Sequence, residues 1–215
     1  MAINATNKKA PQELIPAGNY LARCYQMIEI GTITETVMGK NVTHAKIRIG
    51  WELPTELKVF KEENGEQPFV ISQEYTLSMN EKASLRKMLA SWRGKDFTED
   101  EAKSFDVTKL LGVGCMLNII HKPKKSDPDS YYQTISSITA VPKGIKVPDQ
   151  INKLFVLSYD EFDETLFRSL PDFITNTMKT SEEYKKFIEP GNTTIEQDDY
   201  SGVNSIEEPI DDLPF

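Results

Sequence analysis

Apolar and polar positions alternate with a period of two in three stretches near the start of the chain. Residues 19–30 (NYLARCYQMIEI) carry the aromatic and β-branched side chains of a strand. Tyr20, Ala22, Cys24, Gln26 and Ile28 fall on one face; Leu21, Arg23, Tyr25, Met27 and Glu29 fall on the other. Large side chains on both faces point to a long, bent strand used on two sides. The segment from Gly31 to Val42, with Gly39, Lys40 and Asn41, reads as a connection containing a turn. Residues 43–53 alternate more cleanly. Ala45, Ile47, Ile49, Trp51 and Leu53 point one way, and His44, Lys46, Arg48 and Gly50 the other, the pattern of a half-buried antiparallel strand. A polar loop is expected from Pro54 to Gln67, turning at Asn64-Gly65. The third strand covers 68–78, with Phe69, Ile71, Gln73, Tyr75 and Leu77 on one face.

The period then becomes helical. Leu85, Met88, Leu89 and Trp92 recur at i, i+3, i+4 and i+7, which predicts an amphipathic helix ending before Gly94. Ser78 to Glu81 has the spacing of a capping box, with Asn80 as an alternative cap. Thr98 to Phe105 suits a further short helical turn. Residues 107–121 lead through Gly112 and Gly114 into a fourth strand. A turn-rich loop (KPKKSDPDS) follows, and 131–141 form a fifth strand. Five strands with one helix between the third and fourth make a mainly β protein with the OB-fold, a five-stranded Greek-key barrel. Ferredoxin-like and doubly wound folds require more helices. The barrel is expected over 18–142, after a flexible lead-in over 1–17. Pro142-Lys143-Gly144 and Val147-Pro148 punctuate a linker. Helices are then expected around 160–169, ended by Pro171, and from Ser181. The apolar residues between 154 and 174 mark 143–188 as an appendage packed on the barrel, too short for a core of its own.

Charge separates the remainder. From Glu189 to Phe215 there are eight carboxylates and no basic residue, which equals the net charge of −8; residues 1–188 therefore balance. Such a one-signed segment cannot bury enough surface to offset its ordering entropy, so 189–215 are expected to be disordered. The bland reading is a solubilising tail. Its apolar end, Leu213-Pro214-Phe215 after Asp211-Asp212, favours capture in a partner's basic-rimmed pocket.

Catalytic and metal chemistry find little support. Phosphate-loop, zinc-protease and nucleophile-elbow motifs are missing. Cys24, Cys115, His44 and His121 lack paired ligand spacing. Two histidines and no nucleophile–base pair point away from an enzyme, and no cofactor is implied. No 18-residue apolar stretch or signal-like start is present, so no membrane span is expected. What the barrel offers is cations beside rings. Arg23, Lys46 and Arg48 sit on polar strand faces, Lys40 marks the first turn, and Lys122, Lys124 and Lys125 crowd the turn before the fifth strand. These lie where an OB-fold binds, on strands 2–3 and the flanking loops. Tyr25, Tyr75, Tyr131 and Tyr132, with Phe69, are candidate platforms for bases, core packing being the alternative for each. Trp51 and Trp92 belong to the core by periodicity.

Four stretches, LIPAGNYLARC, LSMNEKASLRKMLASWRGKDFTEDEA, LLGVGCMLNIIHKP and SLPDFITNTMKTSEEYKKF, resemble the single-stranded DNA-binding proteins of tailed bacteriophages. DDLPF resembles the Phe-terminated acidic tail of bacterial single-strand binding proteins. The resemblance implies a protein that coats single-stranded DNA during replication, recombination and repair, in the cytoplasm of an infected bacterium. It makes Asp211, Asp212, Leu213, Pro214 and Phe215 a docking peptide for a polymerase, helicase or exonuclease. The long region before the tail is not Gly/Gln-rich, which favours a monomer or weak dimer. A strand-annealing mediator and a protein–protein adaptor without nucleic-acid binding are the alternatives.

Overall fold

A computed structural model describes residues 13–188. Residues 1–12 and the acidic segment 189–215, with the docking peptide expected at 211–215, lie outside the described residues. The described chain is mainly β, with a nearly closed, barrel-shaped antiparallel sheet and few helices.

β1 (Gly18–Val37) and β2 (Lys40–Val59) form one long hairpin. Its turn is Met38-Gly39, with φ of 52° and 76°, as a two-residue hairpin turn matching the strand twist requires. The expected connection from Gly31 to Val42 is therefore mostly strand. Gly31 marks a bulge rather than a stop: its φ is 91°, and the pairing register shifts between Glu29 and Gly31. A second shift between Cys24 and Gln26 corrects the facing read from simple alternation. Cys24 and Met27 both enter the barrel core, whereas Ile28 belongs to a separate cluster outside it.

β3 (Glu66–Thr76) pairs with β2 along most of its length. The expected loop over 54–67 shrinks to a reversal around a single 3-10 turn, Glu62–Asn64. Pro54 interrupts the ladder without ending it, because it lacks an N–H; the register shifts between Leu53 and Leu57 and pairing resumes. β4 (Gly114–Lys124) and β5 (Asp127–Thr139) likewise extend into the segment read as a loop, leaving Lys125-Ser126 as the turn.

α1 (Ser84–Arg93) lies between β3 and β4 in the chain. The capping box expected at Ser78–Glu81 does not form. Ala83 stands at the N-cap without a side-chain bond, and Asn80 builds the preceding turn, its Oδ1 accepting the Lys82 N–H at 3.1 Å. The true capping box starts α2 (Glu99–Lys103): Thr98 Oγ1 accepts the Glu101 N–H, and Glu101 accepts the Thr98 N–H at 2.9 Å. Arg93 also donates to Glu101, and these bonds hold its carboxyl down at about 2.

The strand order is β3-β2-β1-β4-β5, and β3 meets β5 to bring the sheet nearly to closure. α1 packs at that seam, with Ser91 Oγ donating to the Ile138 carbonyl at 2.6 Å and Trp92 Nε1 to that of Gly114 at 2.9 Å. The seam also leaves a cavity of about 310 Å³ lined by Gln73, Tyr75, Met88 and Ile135. Trp51 and Trp92 are fully buried with ring centroids 6.1 Å apart, among Ile49, Leu53, Leu85, Leu89, Leu117 and Ile119. Burying each of the aliphatic side chains stabilises the fold by roughly 1.5–3 kcal/mol.

The N-terminal segment is bound from residue 13 on, not free as expected of the lead-in. Ile15 is buried; its N–H donates to Gln133 Oε1 at 2.7 Å, and its carbonyl lies 2.7 Å from His121 Nε2. After β5 the chain returns across the outside of the barrel. β6 (Phe155–Leu157) pairs in parallel with Gln26–Ile28 of β1. Then come α3 (Glu164–Ser169), α4 (Asp172–Met178) and α5 (Glu182–Ile188). α3 is four residues shorter at its start than the pattern implied, because Asp163 caps it, accepting the Leu166 N–H at 2.9 Å. α4 was not legible. Pro171 ends α3 but also stands at the N-cap of α4, where a missing N–H costs nothing. Phe167, Leu170, Ile174 and Met178 pack with Leu157 on Ile28, Ile30 and Ile33. β1 thus serves two apolar clusters, one on each side.

Candidate nucleic-acid interface

The candidate residues divide between two outer faces of the sheet. The first is the outside of β1, β2 and β3. Cross-strand pairing puts Ile28, Arg48 and Glu74 in one row, Gln26, Gly50 and Ser72 in the next, and Arg23, Glu52 and Val70 beyond. Much of this surface is occupied by the chain itself. Arg23 donates to the carbonyls of Pro148 (2.6 Å), Gly112 (2.7 Å) and Val147 (3.1 Å), pinning the returning segment. Beside it Glu52, 0% exposed, accepts from the amides of Ile151 (2.8 Å) and Asn152 (2.7 Å) and from Asn152 Nδ2 (2.7 Å). Arg23 was expected to meet phosphates. Three of its five N–H donors go to backbone carbonyls, a use that strand alternation cannot reveal.

Arg48 sits nearer the middle of this face. It donates to Glu74 Oε1 at 2.9 Å and Ser72 Oγ at 2.6 Å, and lies 5.2 Å from the centre of the Phe173 ring of α4. Lys46 pairs with Glu35 at 2.6 Å. Tyr25 is half-buried between Glu52 and Arg48, in space left by Gly50, whose added Cβ would come within 3.5 Å of the Tyr25 ring. Burial, then the Glu52 charge, push its hydroxyl up to about 12. Tyr75 does not belong to the surface. It is 5% exposed inside the barrel core, and burial pushes its hydroxyl well up, so it presents no ring face to a base. Phe69 packs edge-on against Phe60 at 5.1 Å.

The second face is the outside of the β4–β5 hairpin. Lys122 stands opposite Tyr132, and Pro123 opposite Tyr131. Lys122, Lys124 and Lys125 are exposed, and none forms an ion pair with another described residue. Tyr131 and Tyr132 are 53% and 42% exposed. As neighbours on a strand they project from opposite sides of the hairpin, so they do not make one platform. Lys40 is exposed at the β1–β2 turn. β1 joins the sites: its first residue, Gly18, pairs with Ile119 toward the lysine hairpin, and its last, Val37, with Lys40.

A further surface was hidden in the segment read as a polar loop. Lys58, Phe60, Phe69 and Val70 surround a cavity of about 210 Å³ together with Glu13 and Gln133, and Lys58 is paired with Glu13. The signal was present: Leu57 and Val59 alternate with Glu56 and Lys58. The surrounding charge and Pro54 masked it.

Metal and thiol chemistry gain nothing from the geometry. Among the described residues no cluster of His, Cys, Asp and Glu could hold a metal ion. Cys24 and Cys115 are buried, which pushes both thiols far up and leaves them unreactive. No helix among the described residues is long and apolar enough to cross a membrane. No model of a known protein family matches the chain, and no curated protein matches it.

Proposed function

We propose that this protein binds single-stranded DNA without reading its sequence. In this reading it uses a five-stranded OB-type Greek-key barrel to coat and protect the strand during phage DNA replication, recombination and repair. The observation that carries the reading is the β4–β5 hairpin, where the exposed Lys122, Lys124 and Lys125 form no ion pair with another described residue and Tyr131 and Tyr132 are exposed. Phosphates require cations, and bases without sequence preference require ring faces; the hairpin supplies both. The role is binding rather than catalysis.

The acidic tail completes the proposal. With no DNA bound, its carboxylates lie against the basic surface; DNA displaces them and frees Asp211, Asp212, Leu213, Pro214 and Phe215 to recruit a polymerase, helicase or exonuclease. Deleting 196–215 is expected to tighten DNA binding, most at low salt, where competition between charges is least screened. Weaker binding after the deletion would refute the competition.

The test of the main reading is anisotropy of a dye-labelled oligo-dT, with a duplex of equal length as control, at two salt concentrations. An external dye is needed because Trp51 and Trp92 are buried. Binding of the single strand alone, weakening with salt, is expected. Silence from both defeats the reading and favours a protein–protein adaptor, for which the cover over β1 and part of β2 and the balanced charge of residues 1–188 speak. A strand-annealing assay separates coating from annealing.

A further inference from the structure

Barrels of the proposed type bind across strands 2 and 3, and in this protein the side of that face toward β1 is covered. The returning segment is anchored at its edge by Arg23 of β1 and Glu52 of β2 through five hydrogen bonds. Beside it on β1, Ile28, Ile30 and Ile33 are sealed beneath α3 and α4, while Val70 and Glu74 of β3 stay exposed. α5 is fitted as closely. Glu183 Oε2 accepts the Thr32 N–H at 2.6 Å, and a Cβ on Gly31 would stand 2.7 Å from Ser181. This cover is packed like a core and is not a loosely laid strap. The cations that remain on the face, Lys46 and Arg48, each already face a carboxylate. A phosphate arriving there must displace Glu35 or Glu74 before it gains anything.

The outside of β4–β5 carries neither the returning segment nor an ion-paired lysine among the described residues. Alternation along β4 and its pairing with β5 place Asn118, Ile120, Lys122 and Lys124 with Thr134 and Tyr132 on one side. Asn118 Nδ2 donates to Asn19 Oδ1 at 2.8 Å, extending the polar surface onto β1. Of the hairpin's carboxylates, Asp127 stands across from Lys124 at the start of β5 and accepts from Ser130, and Asp129 lies two residues on; the rows from Lys122 to Asn118 carry no acid. From Asn118 to Lys124 the strand covers about 20 Å, room for on the order of four nucleotides, the low end of what one such barrel occupies.

We infer that the single strand of DNA runs along the outer face of the β4–β5 hairpin, from Lys124 toward Asn118 and Asn19, and not across the β1–β2–β3 face. Lys122 and Lys124 neutralise successive phosphates, Tyr132 stacks on a base between them, and the asparagines and Thr134 bond to the backbone. The inference rests on the single-strand reading above.

The experiment compares full-length variants by anisotropy with labelled oligo-dT across a salt series. Lys122→Glu with Lys124→Glu is expected to weaken binding at least tenfold. The slope of log affinity against log salt should become shallower by about 1.4, since each lost single-strand phosphate contact removes about 0.7. Tyr132→Leu should cost about fivefold or more, and Tyr132→Phe should restore binding. Lys46→Ala with Arg48→Ala should stay within twofold of the parent. The opposite ranking, or equal losses from both pairs, overturns the track while leaving single-strand binding intact. If the parent protein binds no oligonucleotide, the single-strand reading itself has failed. Photocrosslinking with 5-bromodeoxyuridine gives an independent readout: an adduct at Tyr132 supports the track, and one at Tyr25 overturns it.

Discussion

Two faces of one sheet carry cations, and they differ in what the rest of the chain does to them. On the outside of β1–β3, Arg23 holds backbone carbonyls, Arg48 holds Glu74 and Ser72, and Lys46 holds Glu35. On the outside of β4–β5, Lys122 and Lys124 stand exposed beside Tyr132. The same residue types thus serve structure in one place and remain available in the other. A buried or half-buried cation that has lost its water must find acceptors inside the protein, and the β1–β3 face supplies them. An exposed lysine keeps its water and exchanges it for a phosphate at little cost, with counterion release as the gain.

The contrast is broken most severely by attacking the cover. Ile30 is fully buried beneath the helices, so Ile30→Ala should destabilise the protein by about 2–5 kcal/mol. Urea unfolding followed by far-UV circular dichroism measures this. A single shifted transition means that barrel and appendage unfold together; two separate transitions would show that the cover can leave the barrel intact.

A smaller effect is expected at the anchor of the returning segment. Glu52→Ala leaves the amides of Ile151 and Asn152 without their acceptor, at a cost of about 1–3 kcal/mol. Hydrogen exchange at those two amides should accelerate well beyond the exchange of β4. If they stay protected, the segment is held by something other than Glu52, and the β1–β3 face is covered more firmly than its hydrogen bonds account for.

The gentlest perturbation is pH. Burial works against ionisation of Glu183, but the Thr32 hydroxyl and amide outweigh it and hold the carboxyl below its ordinary value of 4.5. A lowered folded value means that this contact stabilises the fold fully above the ordinary value and fades as pH falls through the lowered one. The junction between α5 and β1 should therefore loosen in acid, seen as faster exchange of the Thr32 amide relative to core amides. Glu183→Gln should flatten that dependence. A change appearing instead on the alkaline side would assign it to another group.

Much of the architecture was legible from local pattern. The alternation over 43–53 located the core-facing side of β2, and the 3.6-residue recurrence of Leu85, Leu89 and Trp92 located the buried side of α1. What misled was punctuation. Gly31 and Pro54 look like stops, yet one is a bulge and the other a gap in a ladder that resumes. Ser78 to Glu81 has capping-box spacing, but the bonds form at Thr98 and Glu101. Among the candidate site residues, alternation correctly put Arg48 on the outside of β2, but it could not separate Tyr75, inside the barrel, from Tyr132, outside it.

By itself the sequence determined the succession of the five barrel strands and α1, the concentration of excess negative charge in the last residues, and the presence of lysines and tyrosines around the β4–β5 turn. Each of these follows from short-range periodicity or from counting. Only the tertiary structure decided which cations are available and which rings have a free face. Those properties depend on segments more than a hundred residues apart, as when Arg23 meets Pro148 or Thr32 meets Glu183. They depend also on bulges that exchange the two faces of β1. A side chain's neighbours along the chain set its direction; what lies over it is set by the whole fold.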